Sequence, residues 1–291
     1  MTFGKLSGKV ALENAPTPIA YDGSMRTLSP FVEITHRWLQ SWGEWLLGWW
    51  QIVFIGAQLM VLAFSPSSYR ASQRKVMALK LYEATAPLLT SYILISALVS
   101  MIVTRIVVTT ALTYGLSQYA LELLIRTLVL ELLPLSVALI VAVRYTMPEG
   151  KLVRDMRERG EFAVQWRAGG DPTRDELLPR VMAGVFSVLL LAALSGFVAL
   201  VLAYLSVYGF HTWGYPGYTR SVGQVFNPVV ALVFCLKTLF FSLAVSVIPI
   251  VFRPRTDPSD PSGTNAEIKV LARLFTVILL IEVLSLVGNY Y

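Results

Sequence analysis

Residues 85–104, TAPLLTSYILISALVSMIVT, decide the fold class of this chain. They carry no charge, and they match the roughly 20 apolar residues with which a helix crosses about 30 Å of hydrocarbon. Four more stretches of the chain are long and predominantly apolar, at 121–143, 181 to about 208, 224–252 and 268–287. The sequence therefore predicts an all-α polytopic membrane protein with five transmembrane helices.

The composition argues against an ordinary soluble domain and against an enzyme. Hydrophobic residues make up 55% of the 291 residues and charged residues only 14%, whereas a soluble domain carries about a quarter charged residues. The single cysteine, Cys235, excludes a disulfide framework and a cysteine-based metal site. The chain has no G-x-x-x-x-G-K-[ST] phosphate loop and no nucleophile–base pair in its spans. We therefore expect neither ATP hydrolysis nor a bound cofactor in this subunit.

Two further regions precede the predicted spans. Residues 1–30 are polar and lack the apolar core of a signal peptide, so we expect a disordered cytoplasmic tail. In residues 31–69, four tryptophans fall on one helical face at spacings of four, three and four: Trp38, Trp42, Trp45 and Trp49. Because tryptophan favours the membrane interface, this stripe predicts an interfacial elbow helix. A sixth full span is the alternative, since the run up to residue 69 is uncharged.

The positions of lysine and arginine predict the orientation, because these residues are enriched on the cytoplasmic side of membrane proteins. They concentrate in the connections at 70–80, 144–180 and 253–269, whereas the connections at 112–120 and 209–223 contain only one basic residue, Arg220. We therefore expect a multi-pass membrane protein with these three basic connections in the cytoplasm. Its N-terminus would lie in the cytoplasm and its C-terminus outside.

Residues 144–180, RYTMPEGKLVRDMRERGEFAVQWRAGGDPTRDELLPR, form the longest stretch of mixed charge. Gly169 and Gly170 favour the end of one helix, and Asp171 followed by Pro172 is typical of the start of another. An amphipathic helix pair of this kind can dock into a groove on a soluble partner. The alternative is a solvated loop whose arginines only follow the positive-inside rule.

Several short motifs occur here at intervals typical of one family. The sequence Leu130-Glu131-Leu132-Leu133-Pro134 lies in the second predicted span, and Arg144 ends that span. The later motifs are Met156-Arg157, Asp171-Pro172, Pro179-Arg180, Ala183-Gly184 and, in the fourth span, Leu236-Lys237-Thr238. Over about residues 70–252 these features resemble the MlaE/YrbE permeases, the membrane subunits of MCE-associated lipid ABC transporters. The chain departs from that family's pattern at Leu130, Leu133 and Gly160, where the family has arginine, glycine and glutamate.

The resemblance implies a five-span permease domain over residues 70–291 with a coupling segment at 144–180. It implies an ABC ATPase subunit that binds the ATP, a periplasmic MCE-domain protein and a second permease copy, in a homodimer or in a heterodimer with a related permease. The transporter would move phospholipid or another lipid between the inner membrane and the MCE proteins. The departures from the motifs leave an alternative: a degenerate subunit that completes or anchors such a complex without transporting.

The resemblance also implies roles for individual residues. Glu131, Lys237 and Arg144 are the candidates for the lipid pathway. The candidates for coupling to the ATPase are Met156, Arg157, Glu161, Asp171, Pro172 and Arg180. Glu131 and Lys237 are also ionisable groups inside predicted spans, where such groups need a partner or a function. Lys237 is expected to bind a lipid phosphate or to pair with a carboxylate such as Glu282.

Overall fold

The computed structural model describes residues 48–66, 71–252 and 264–290. The predictions for the tail at 1–30 and for Trp38, Trp42 and Trp45 of the elbow helix lie outside these residues. The described chain is helical throughout. Its helices are α1 (Gly48–Phe64), α2 (Ala71–Thr113), α3 (Ser117–Leu124), α4 (Leu133–Val141), α5 (Met147–Glu158), α6 (Glu161–Arg167), α7 (Leu178–Tyr208), α8 (Tyr215–Val225), α9 (Pro228–Val251) and α10 (Thr264–Tyr290).

Five helical stretches are long and apolar enough to cross a membrane, which confirms the predicted fold class. They are Gln73–Thr113, Tyr119–Glu158, Thr173–Tyr208, Pro228–Val251 and Asn265–Gly288. The described part of α1 is apolar but shorter than these five helices. It falls below the length of about 20 residues that a full span needs. The elbow helix and the sixth span both stay predictions, since residues 31–47 lie outside the described part of the chain.

Two π-helical segments join neighbouring α-helices without a break, and a third leads into α7. Ile125–Leu132 links α3 to α4, Ala142–Thr146 links α4 to α5, and Thr173–Leu177 leads into α7. The second span and the first part of the coupling segment are therefore one continuous helical rod, Tyr119–Glu158. π-Helical turns are rare and occur frequently at functional sites, because they change the direction in which side chains point.

The structure moves two predicted boundaries. α2 begins at Ala71 rather than near residue 85, because lysine and arginine are good helix formers and do not end a helix. The fourth span begins at Pro228 rather than at residue 224. Asn227 caps it by accepting a hydrogen bond from the Val230 amide at 2.9 Å on its side-chain oxygen, which satisfies one of the free amides at the helix start. The preceding residues form the separate helix α8.

Helix α7 lies at the centre of the bundle and packs along α2 and α9. Small residues allow this close packing. A Cβ added to Gly184 on α7 would lie 2.6 Å from the Ser246 hydroxyl on α9 and 3.1 Å from a Thr146 methyl group. On the α2 side, the buried hydroxyls of Thr85 and Ser187 are hydrogen-bonded at 2.8 Å. Substitution of Gly184 by a larger residue would therefore push two helices apart.

One end of the bundle gathers the first turns of α2, the helix α5, and the end of α9 with the start of α10. Lys80 is 3.1 Å from Glu149, and Lys151 is 3.1 Å from Glu267. A Cβ on Gly150 would lie 2.2 Å from the Pro249 carbonyl oxygen, so α5 and α9 touch through their backbones. We call this end the basic end, because the basic connections of the sequence emerge there.

Candidate functional site

Lys237 is buried within α9, and its side chain is only 1% exposed. Its ammonium group contacts the Glu131 carboxylate, lies 3.0 Å from the Glu282 carboxylate and donates to the Leu130 carbonyl oxygen at 3.3 Å. It also lies 5.7 Å from the centre of the Phe241 ring. We call Lys237, Glu131 and Glu282 the ion cluster.

Three different elements position the ion cluster. Glu131 lies in the π-helical segment Ile125–Leu132, Lys237 in α9 and Glu282 in α10. At 1.5 Å per residue, Lys237 is about 14 Å along α9 from Pro228 and about 21 Å from Val251. The cluster therefore lies well inside the hydrophobic thickness, where an ionisable group is expensive unless it is paired or functional.

One ion pair predicted from the sequence is present, and a second pair has the spacing of four residues at which ion pairs form along a helix. The pairing of Lys237 with Glu282 is confirmed by the 3.0 Å contact. Glu122 and Arg126, which lie one helical turn apart, are 3.1 Å apart and partly exposed. The first pair brings two helices together in the interior. The second only neutralises charge along one helix, as pairs at this spacing commonly do.

Of the three lipid-pathway candidates, the structure brings Glu131 and Lys237 together and leaves Arg144 apart. Arg144 is 13 residues beyond Glu131, which is about 20 Å along a helix. Its side chain is exposed and lines a small cleft of about 210 Å³ with Glu83 and Tyr145. Arg144 therefore belongs to the basic end of the bundle rather than to the ion cluster.

A second buried cation, Arg180, lies at the basic end. Its guanidinium donates to Glu149 at 2.7 Å, to the Glu176 carbonyl oxygen at 2.7 Å and also to the Glu176 carboxylate. Glu149 is shared with Lys80 at 3.1 Å, and Lys80 also binds Glu83 at 2.9 Å. We call these five residues the basic-end network. It ties α2, α5 and the start of α7 to one another.

Two of the coupling candidates are buried, and the other four are partly buried. Arg180 and Pro172 are buried; Met156 is partly buried and its sulfur is 3.8 Å from the Arg180 guanidinium. Arg180 therefore positions the segment and does not itself form the surface on which a partner would dock. Asp171 caps the following turn by accepting a hydrogen bond from the Thr173 amide at 3.0 Å.

Arg157 and Glu161 lie around the turn between α5 and α6. The guanidinium of Arg157 is 5.3 Å from the centre of the Phe162 ring, and Glu161 accepts a hydrogen bond from Arg159 at 2.7 Å. Val164 and Trp166 on α6 are 63% and 64% exposed. An apolar pair this exposed is unusual outside a membrane unless it meets another surface.

Gly160 gives a physical reason for one departure from the family motif. Its φ angle is +74°, in the left-handed region, where it separates α5 from α6. Side chains are strained there and glycine is favoured. A glutamate at this position would carry that strain, so the glycine fits the sharp α5–α6 turn and the acidic side chain follows at Glu161.

An apolar groove runs between α1, α9 and α10. It has a volume of about 670 Å³ and is lined by apolar side chains such as Ile52, Phe240 and Ile281. Gly56 brings α1 close to α9, since a Cβ there would lie 3.2 Å from a Val247 methyl group. The groove has the width and chemistry to hold a hydrocarbon chain.

The end of the bundle opposite to the basic end is aromatic. Tyr204 on α7 stacks on Tyr208 with ring centres 5.5 Å apart, and Tyr218 on α8 meets Tyr204 edge-on at 5.2 Å. Burial, together with the nearby Tyr208, raises the pKa of Tyr218 to about 12. Its hydroxyl therefore stays protonated and donates to the Leu200 carbonyl oxygen at 2.7 Å. These contacts fasten α8 against α7.

The sequence pointed to some members of these clusters and missed others. Glu176 and Arg180 are four residues apart on one helical stretch, a spacing that indicates an ion pair. Lys80 and Glu149 carry no such signal, because they are 69 residues apart in the chain, on α2 and α5. Among the residues that the structure describes, no group of three or more His, Cys, Asp or Glu side chains has the arrangement of a metal site.

Both charged clusters and nearly all of the five long helices fall inside a region that matches a known family. The model of the family described as Permease MlaE matches residues 77–287, which is most of the chain. The chain belongs to the MlaE permease family. It is therefore a multi-pass transporter subunit rather than a catalytic enzyme. No curated protein sequence matches it significantly.

The matched region covers both charged clusters of this MlaE permease. It begins within α2 and ends within α10, so it includes the ion cluster, the basic-end network and the α5–α6 segment. Helix α1 precedes it. The resemblance inferred from the motifs is thus confirmed.

Proposed function

We propose that this MlaE permease is the lipid-conducting subunit of an ATP-driven transporter. It moves phospholipid or a similar amphiphile between the inner membrane and periplasmic MCE-domain proteins. A separate ABC ATPase binds and hydrolyses the ATP, and a second permease copy completes the pathway. The family membership supports a membrane subunit of an ABC lipid transporter; the substrate and the partners are our proposal.

One observation carries the proposal: a single helical rod, Tyr119–Glu158, contains Glu131 of the ion cluster and ends at the α5–α6 turn. Movement of a partner bound to α6 would be transmitted along this rod to the membrane interior. The basic-end network adds rigidity, because Arg180 links the start of α7 to Glu149 on α5. A rigid connection between a docking surface and an intramembrane site is what an energy-coupled permease needs.

The lipid-handling part of the proposal rests on two features. The groove of about 670 Å³ between α1, α9 and α10 is apolar and offers room for an acyl chain. The ion cluster places polar groups at a depth where a passing lipid headgroup would otherwise meet only hydrocarbon. The apolar groove and the polar ion cluster together suit a substrate that has both a hydrocarbon chain and a polar headgroup.

The orientation is also part of the proposal. The basic end, with α5 and α6, would lie in the cytoplasm, because its connections hold most of the lysines and arginines outside the spans. This places Val164 and Trp166 where a cytoplasmic ATPase can reach them, and the aromatic end with α8 on the periplasmic side.

The experiment uses Trp166→Asp in the tagged full-length chain. Because Trp166 is 64% exposed, the substitution should leave the fold intact and place a charge on the docking surface. We expect the ATPase to co-purify with the wild-type chain in detergent and the retained amount to fall at least tenfold in the variant. Tenfold corresponds to about 1.4 kcal/mol of binding free energy.

The matched control is Phe210→Asp, which places the same charge at an even more exposed aromatic residue at the opposite end of the bundle. It should retain the ATPase at the wild-type amount. Loss of the ATPase in both variants, or in neither, would contradict docking on α6. A wild-type chain that purifies without an ATPase would contradict the proposed function as a whole.

The alternative of a non-transporting subunit has one structural feature in its favour. Leu130 and Leu133, which stand where the family has arginine and glycine, are both buried in the apolar core. They contribute packing where the family motif has a charge and a flexible residue. A complex that assembles with the ATPase but transfers no lipid would support this alternative.

A further inference from the structure

The ion cluster has more negative than positive groups. Lys237 supplies one positive charge, and Glu131 and Glu282 supply two carboxylates that are only 15% and 16% exposed. With both carboxylates ionised, the cluster would hold a net negative charge inside the membrane. A net charge at that depth is costly by several kcal/mol.

No further cation balances the cluster. Among the described residues, Lys237 is the only lysine or arginine that forms an ion pair with Glu131 or Glu282. Of the other titratable side chains nearby, Tyr92 on α2 has its hydroxyl 2.8 Å from that of Ser136, and Cys235 on α9 is exposed. Helix α7 carries no titratable side chain between Arg180 and Tyr204. The excess charge must therefore be neutralised within the cluster.

One carboxylate oxygen of Glu131 has no hydrogen-bond donor among the described residues, and Glu282 has no donor there other than Lys237. Glu131 contacts the ammonium through Oε2, and its buried Oε1 accepts no hydrogen bond from the described residues. Glu282 accepts from Lys237 on Oε1, and its Oε2 lies 3.0 Å from the same ammonium group. Both carboxyl groups therefore contact one ammonium group, which holds them at a short distance from each other. Two acceptors at this distance repel unless a proton lies between them.

We propose that the ion cluster is a proton-binding site that holds one exchangeable proton shared between Glu131 and Glu282. The proton converts one carboxylate into a hydrogen-bond donor toward the other. The cluster then contains one ammonium, one carboxylate and one carboxylic acid, and its net charge is zero. Carboxyl pairs that share a site bind a proton in this way, and the proton belongs to the pair rather than to either residue.

This arrangement makes the charge of the cluster depend on its access to water. While the site is closed, the neutral form is favoured because no solvent stabilises an extra charge. An opening that admits water or a lipid headgroup would allow the proton to leave. The inference depends only on the geometry of the folded chain, and it holds whichever substrate or ATPase the permease uses.

The test is infrared spectroscopy of the full-length chain in lipid nanodiscs at neutral pH. The observable is the carbonyl stretch of a protonated carboxylic acid, which shifts when H2O is replaced by D2O. A glutamate in water is ionised at neutral pH and gives no such band. We expect one band in the wild-type chain and no band in either Glu131→Gln or Glu282→Gln, because the remaining carboxylate then pairs with Lys237 alone.

The matched control is Glu122→Gln, which alters a carboxylate of the same helical rod that pairs with Arg126; it should retain the band. Lys237→Met provides a second check that does not require a glutamate variant to fold, since both carboxyls should then be protonated and the band should about double. Absence of the band in the wild-type chain, or its survival in either cluster glutamine variant, would overturn the shared proton. Neither result depends on lipid transport or on ATPase binding.

Discussion

The ion cluster and the basic-end network are built on the same unit, a buried cation between two carboxylates, and they balance its charge differently. Arg180 lies between Glu149 and Glu176, and Lys80 supplies a second cation to Glu149. Lys237 lies between Glu131 and Glu282 without a second cation among the described residues. The first is a structural joint near the membrane surface. The second has an excess carboxylate in the membrane interior, and we propose that a proton balances it.

The chemistry of the two cations matches these surroundings. The guanidinium of Arg180 makes four directed contacts, with both carboxylates, the Glu176 carbonyl oxygen and the Met156 sulfur. Such a planar fork fixes geometry. The ammonium of Lys237 is a point charge with rotatable donors, so its partners can rearrange around it. The comparison indicates a fixed contact between helices at the basic end and a site within the span whose contacts can rearrange.

Of the substitutions that distinguish the two clusters, Glu149→Gln is expected to lower the unfolding free energy most. This carboxylate contacts both Arg180 and Lys80, and an amide would leave each cation with only one carboxylate partner. We expect the unfolding free energy to fall by about 3 kcal/mol, the lower end of the range for breaking a buried ion pair. Unfolding of the detergent-solubilised chain by denaturant, with Arg159→Met as an exposed-pair control, measures it. A loss of unfolding free energy no greater than that of Arg159→Met would contradict a structural role for the basic-end network.

A smaller effect is expected from the same substitution in the ion cluster, Glu282→Gln. Because one of its two carboxyls is already neutral in our account, an amide replaces a carboxylic acid of the same shape and the ammonium keeps a carboxylate. The unfolding free energy should change by less than about 1 kcal/mol. The same denaturant experiment measures it beside Glu149→Gln. Equal losses in the two variants would mean that both carboxylates of the cluster are ionised.

The sequence was sufficient for the parts of this fold that depend on local composition. Uncharged runs such as 85–104 give the number of spans, because a membrane demands apolar length. The Asp171 cap and the Glu122–Arg126 pair were predictable from spacings of a few residues. The end of α7 at Tyr208 follows from Gly209, whose φ of +66° does not continue a helix.

The parts that depend on helix rotation and packing could not be predicted. Glu131 reaches Lys237 from a π-helical segment, and no sequence pattern signals where such a segment begins. Glu149 and Lys80 are 69 residues apart, and Gly150, next to Glu149, allows α5 to contact α9 closely. The sequence located the apolar part of α2 but not its start. Hydropathy detects the membrane-spanning part of a helix and not its extension outside the membrane. Gly160 was noted as a departure, and only its backbone angle explains it.

ATP-driven lipid transfer by the reconstituted complex tests the central claim most directly. Proteoliposomes with the full-length chain and its co-purified ATPase are loaded with a fluorescent phospholipid, and transfer to acceptor vesicles is followed with and without ATP. The account predicts ATP-dependent transfer by the wild-type complex. It predicts at least a tenfold slower transfer by Glu131→Lys, which places two ammonium groups together in the span, and near wild-type transfer by Glu122→Lys. An assembled wild-type complex that hydrolyses ATP without transferring lipid, or equal transfer by both variants, would contradict it.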